Sequence, residues 1–202
     1  MTEKGEKTRG KILEESARVF VSKGFWATSI SDILKASGVT KGNLYFHFSG
    51  KEELAMAVLA KEREDFMAFL DQALSSGTPG EALNNFFEQA YAKHQKTNFI
   101  GGCIFGNTAL EASETSPLFA GLVTDVFSDW TAKIEGKIAQ AQHHQEIRSD
   151  LSSAELATMI VATLEGGIMQ TRLLKSEAPL RVCLQTLRTL LDMNLTPKKE
   201  LN

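Results

Sequence analysis

The 202-residue chain is long enough for a small unit plus one larger domain, or for a single large helical domain. With 43% hydrophobic and 23% charged residues it has the balance of a soluble globule. Its longest apolar runs fall far short of the ~20 residues of a membrane span. Met1 to Lys11 is polar and carries no apolar signal region, so no secretory leader is expected. Cys103 and Cys183 have no metal-ligand spacing and read as free thiols of a reducing cytoplasm, and no metal or other cofactor is expected.

A net charge of −3 argues against a polyanionic partner until its distribution is considered. Residues 1–50 hold eight Lys/Arg against five acids, a net +3, and the remainder holds 14 against 20, a net −6. A basic head on an acidic body suits a head that meets phosphate.

Taken in chain order, the periodicity is helical throughout. Ile12, Leu13, Ala17, Phe20 and Val21 form the stripe of a first helix closed by Gly24. Thr28 or Ser29 caps a short helix with Ile30, Ile33 and Leu34 inward, ending at Ser37-Gly38. A second short helix runs from Thr40 to about Phe48. Capping boxes are expected at Ser49/Glu52, Thr78/Glu81 and Ser152/Glu155, the second strengthened by Pro79. Further helices are expected at about 79–96, 103–113, 117–141, 153–175 and 178–194, with a frayed tail from Thr196. The expected fold is all-α, with about nine helices.

Residues 29–48 read as a helix-turn-helix. Ile30, Ile33, Leu34, Val39, Leu44 and Phe48 supply the shared apolar plug, Ala36 is small where the helices approach, and Gly38 suits a positive φ in the turn. At about 100° per residue, Leu44 and Phe48 point inward together, while Gly42, Asn43 and Phe46 point away and Lys41 and Tyr45 lie to one flank. That outward side suits DNA. Thr40 offers a hydroxyl to phosphate, Gly42 permits close backbone approach, and Lys41 and Asn43 have the donors to read base edges. Tyr45, His47 and Lys51 can reach phosphate oxygens. Taken singly, the aromatics also fit ordinary packing and the lysines ordinary solvated charges.

The run Gly38-Val39-Thr40-Lys41-Gly42-Asn43-Leu44-Tyr45-Phe46-His47-Phe48, followed by Ser49-Gly50-Lys51-Glu52-Glu53-Leu54, resembles the signature of the TetR family of transcriptional regulators. With Ile12-Leu13, Ala17, Phe20, Gly24-Phe25 and Thr28 upstream, the resemblance covers residues 6–66. It implies a DNA-binding domain over 6–66, a helical effector-binding and dimerisation domain over 67–195, and a homodimer on a palindromic double-stranded operator. By the same resemblance Lys41 and Asn43 tune sequence choice, and Thr28 and Ser29 sit near phosphates.

In the body, Phe66, Phe87, His94, Cys103, Phe105, Asn107 and Trp130 are candidates to line the pocket of a small-molecule effector, with Asn98 and Glu111 as further polar anchors. The segment Gly101 to Glu111 resembles a helix-six motif in a family branch that includes repressors responsive to electrophiles through a cysteine. Cys103 is then either a thiol sensor or a small packing residue. The last two helices resemble the family's dimerisation pair, with Ile160, Leu164 and Gly167 on one and Leu184, Leu187 and Leu191 on the other; an intramolecular core is the alternative. Close helix approach would offset the helix cost of Gly166-Gly167. The expected function is a cytoplasmic repressor released by an effector or a thiol-reactive signal, the alternatives being an activator of the same fold or a helical enzyme. No phosphate loop, nucleophile elbow or metalloprotease motif supports an enzyme.

Overall fold

The computed structural model describes residues 3–193, so the tail from Thr196 lies outside the described residues. Among these, nine α-helices and no strand are found: α1 Glu3–Lys23, α2 Ile30–Ser37, α3 Lys41–His47, α4 Lys51–Ala73, α5 Pro79–Lys96, α6 Ile104–Ala112, α7 Pro117–His143, α8 Ser153–Leu174 and α9 Ala178–Leu190. None is long and apolar enough to cross a membrane.

The chain divides into two compact units. The first is Met1–Met67 with Ile100–Phe127, the second Ala68–Phe99 with Ser128–Asn202. A single sequence boundary after residue 66 takes no account of residues 100–127, which group with the N-terminal helices. The reason is a shared core: Ile12 and Phe20 of α1, Ile33 of α2, Leu44 of α3 and Leu54 and Val58 of α4 are buried in one cluster with Ile104 and Phe105 of α6 and Phe119, Val123 and Val126 of α7. Burial of apolar surface outweighs proximity in sequence here.

The capping boxes at Thr78/Glu81 and Ser152/Glu155 form as the spacing predicts. The one at Ser49 does not. Ser49 donates from its backbone N to Glu53 Oε2 at 2.7 Å, and its hydroxyl donates to the same oxygen, so the partner is Glu53 rather than Glu52. The helix begins two residues after Ser49, at Lys51, which carries the carboxylate partner one position further along. Those bonds from Ser49 hold the Glu53 carboxyl below the ordinary carboxylate range.

In the second unit α8 and α9 pack on each other, and the Thr171 hydroxyl accepts from the Leu180 N–H at 3.1 Å at their junction. Ile160, Leu164, Leu184, Leu187 and Leu191 are each at most 3% exposed within this one chain. A Cβ on Gly167 would meet Cys183 Sγ at 3.1 Å and Leu180 Cδ1 at 3.3 Å. The six residues expected at a seam between copies are therefore buried within the single chain, where α8 and α9 pack on each other. The close approach is made by Gly167; a Cβ on Gly166 would meet nothing within 4 Å. The apolar side chains these helices leave exposed are Met169, Leu173, Leu174, Val182 and Leu190.

Candidate nucleic-acid interface

The first unit places residues 24–48 by a succession of local bonds. Gly24 ends α1 at φ +87°, its N–H donating to Phe20 O at 2.8 Å. Ser29 is the N-cap of α2 and completes a capping box with Asp32, an arrangement read from the sequence only as far as the cap itself. Asp32 Oδ2 accepts from Lys23 Nζ at 2.6 Å and from the Ser29 hydroxyl at 2.7 Å. The Lys23 bond, then those from Ser29, hold the Asp32 carboxyl well below the ordinary range. Gly38 takes φ +67° and donates to Leu34 O at 2.9 Å, the left-handed turn that glycine adopts without a Cβ penalty. Thr40 then caps α3, its hydroxyl oxygen accepting from Asn43 N at 3.2 Å. The small residue between the helices is Ser37 rather than Ala36. Ala36 is exposed, whereas Ser37 is fully buried with its hydroxyl spent on Ile33 O at 2.7 Å.

The two sides of α3 separate as the wheel predicts. Leu44 is 0% and Phe48 2% exposed, while Tyr45 is 44% and Phe46 77% exposed. Thr40, Lys41, Gly42 and Asn43 are exposed and His47 is half-buried. Lys41 Nζ lies 5.9 Å from the centre of the Tyr45 ring, and Phe46 and His47 meet edge to face at 5.0 Å. An exposed phenylalanine on a seven-residue helix is costly to hydrate, and Phe46 joins the candidate surface on that ground; its outward position was legible in the wheel.

Two expected phosphate contacts are directed elsewhere. Thr28 is 2% exposed and its hydroxyl donates to Gly24 O at 2.6 Å. Lys51 is half-buried and its ammonium donates to the carbonyls of Thr28, Phe25 and Trp26 at 3.0, 3.1 and 3.4 Å, 4.5 Å from the Phe25 ring centre. With its three protons so engaged, Lys51 holds the turn before α2 and has none left for phosphate. Ser29 remains exposed.

The expected effector residues fall in both units. In the first, the Phe66 and Phe105 rings lie 5.9 Å apart, Cys103 is the half-buried N-cap of α6, and Asn107 donates to Gly101 O at 2.9 Å. Asn107 and Glu111 also line a small cavity with Phe20, Leu59 and Phe119. Glu111 is no free anchor: its carboxylate accepts from the Phe25 N–H at 2.8 Å. In the second unit Phe87 is fully buried beneath the Arg188 guanidinium, Trp130 stands edge-on to Phe86, and burial, with the nearby charge of Lys93, lowers His94 to about 4. Asn98 and Phe99 adopt φ +50° and +58° just before the Gly101-Gly102 turn.

Known proteins resemble this chain in both parts. The model described as "Bacterial regulatory proteins, tetR family" matches residues 12–58, and "Tetracyclin repressor-like, C-terminal domain" matches residues 79–187. The HTH-type transcriptional regulator LmrA of Bacillus subtilis is 29% identical over 175 residues, 86% of this chain and 90% of that protein. The HTH-type transcriptional repressor DhaR of Mycobacterium sp. (strain GP1) is 28% identical over 174 residues, 85% and 86% of the two chains. A crystal structure of a TetR transcriptional regulator from Chloroflexus aurantiacus superposes with a TM-score of 0.85 at 29% identity, covering 95% of this chain and 97% of that one.

Proposed function

The chain belongs to the tetR family of bacterial regulatory proteins, and we propose on that premise that it is a repressor whose α3 reads a palindromic operator and whose C-terminal helices take the releasing signal. The observation that carries the DNA reading is the exposed side of α3. Lys41 and Asn43 present the donors that distinguish guanine and adenine edges, and Gly42 leaves room for the backbone of the duplex. On this reading Tyr45, His47, Thr40 and Ser29 bind phosphate, and exposed Phe46 meets a thymine methyl. Repression is supported by the description of DhaR and by the match of residues 79–187 to a tetracyclin repressor-like domain.

Two copies would be needed to address both half-sites, about 34–36 Å apart. Met169, Leu173, Leu174, Val182 and Leu190 offer the exposed apolar surface for that association. Release would follow from a small molecule or thiol modification that favours a different spacing of the paired heads.

Selection of bound duplexes from a random pool tests the reading. The expected outcome is an enriched palindrome bound in a salt-sensitive manner, and a Tyr45→Ala variant that folds normally yet loses it. A pool with no enrichment would overturn the proposal. Screening small molecules and thiol-reactive electrophiles for release of that duplex tests the second half.

A further inference from the structure

We propose that the N-terminal half of α1 is a second DNA surface, on which Lys4, Lys7 and Lys11 hold the sugar–phosphate backbone beside the bases that α3 addresses. This rests on the DNA reading of α3 and extends it to residues outside the helix-turn-helix.

The six cations of α1 sort into two groups. Arg18 is paired with Glu14 at 2.6 Å and Glu15 at 2.9 Å, and Lys23 with Asp32 at 2.6 Å. Arg9 lies over the Phe48 ring at 5.2 Å. Lys4, Lys7 and Lys11 are exposed and make no ion pair among the described residues. They recur at intervals of three and four, which puts them within an arc of about 60° on one side of α1. Lysines at that spacing repel and destabilise the helix that carries them. Acids do flank the stripe, Glu3 four positions before Lys7 and Glu14 and Glu15 three and four after Lys11. Glu14 and Glu15 are engaged by Arg18, however, and no acid pairs with these three lysines among the described residues. A polyanion lying along the stripe would offset the repulsion. Its place in the fold supports the same partner: Lys11 Nζ lies beside Gly38, where a Cβ would stand 3.7 Å away, and Gly38 is the turn that leads into Thr40 and α3. Duplex phosphates reached by α3 and by this stripe would then lie on one continuous cationic surface with Lys41.

Phosphate contacts are independent of sequence, so the probe is a random-sequence duplex of about 30 base pairs, enough for two half-sites one turn apart. The dependence of binding on salt is measured for the parent, for a Lys4→Gln, Lys7→Gln, Lys11→Gln variant, and for a Lys96→Gln, Lys137→Gln, Lys175→Gln control with the same charge change in the second unit. Each lost phosphate contact lowers the slope of log K against log salt by about 0.9. The α1 variant is expected to lose about two to three from that slope per protomer, and the control none. A parent that binds and an α1 variant of unchanged slope would overturn this inference alone. An equal loss in the control would also overturn it, since net charge would then be the cause. A parent without salt-dependent duplex binding would overturn the DNA reading and this inference with it.

Discussion

Glu111 of α6 and Lys51 of α4 grip the same two residues, Phe25 and Trp26, from opposite chemical sides. The Glu111 carboxylate accepts from the N–H of Phe25 at 2.8 Å and of Trp26 at 3.4 Å, and the Lys51 ammonium donates to their carbonyls. The Phe25–Trp26 peptide thus has its oxygen on a cation and its N–H towards an anion. The Trp26 indole N–H adds a bond back to Glu111 O at 2.9 Å, and a Cβ on Gly24 would stand 2.6 Å from the carboxylate. The turn that launches α2 is therefore fixed by two helices far from it in sequence.

Glu111→Ala is expected to cost about 1–3 kcal/mol, because it strands backbone donors in a half-buried turn, and Lys51→Met a similar amount through the three carbonyls. The double variant should lose less than the sum, since both groups restrain the same segment. Urea unfolding of the four proteins measures this; full additivity would mean that the two ties act independently.

Stability and DNA affinity should move in opposite directions at Gly42. The position is helical, exposed and open, so Gly42→Ala is expected to raise stability by up to about 1 kcal/mol. The added methyl should nevertheless weaken duplex binding tenfold or more, because it stands where the backbone of the duplex approaches. Thermal unfolding and titration with the selected duplex read the two effects separately, and a Gly42→Ala protein that binds as tightly as the parent would place the contact elsewhere.

The adjacent glycines of α8 should respond oppositely to alanine. Gly166→Ala fills open space and is expected to stabilise by up to about 1 kcal/mol. Gly167→Ala presses on Cys183 and Leu180 at 3.1 and 3.3 Å and is expected to lower Tm by overpacking the α8–α9 contact. Melting curves of the two variants decide it.

His94 should make the protein acid-sensitive. Burial, then the charge of Lys93, lowers its pKa from 6.5 to about 4, so the unfolded chain binds a proton between those values that the folded one refuses. Stability on this account rises with pH from 4 to 6.5 and is lost as pH falls through that window, by on the order of 2 kcal/mol. His94→Gln should flatten that part of the pH profile in urea titrations run from pH 4 to 7. An unchanged slope would assign the acid sensitivity to other groups.

Much of this was legible in the residues because it is decided within one helical turn. Thr78 with Glu81, Ser152 with Glu155, Gly24 and Gly38 are local arrangements, and so is the division of α3 into Leu44 and Phe48 inward and Asn43 and Phe46 outward. Such features need only a neighbour three or four positions away. The site was less legible where a side chain had two equally suitable partners. Lys51 could meet phosphate or carbonyl, and no spacing in the sequence distinguishes them.

By itself, then, the sequence determined an all-α chain, the bounds of its helices to within a few residues, and which side of α3 is wet. The tertiary structure decided which distant segments complete the local ones. It turned Thr28 and Lys51 inward, moved the Ser49 partner to Glu53, and buried Ile160, Leu164, Leu184, Leu187 and Leu191 within the single chain. It also brought Glu111 to a turn 86 residues away. Periodicity fixes the apolar side of a helix but not what covers it, because the same burial energy is available from any apolar surface; only the packed chain chooses.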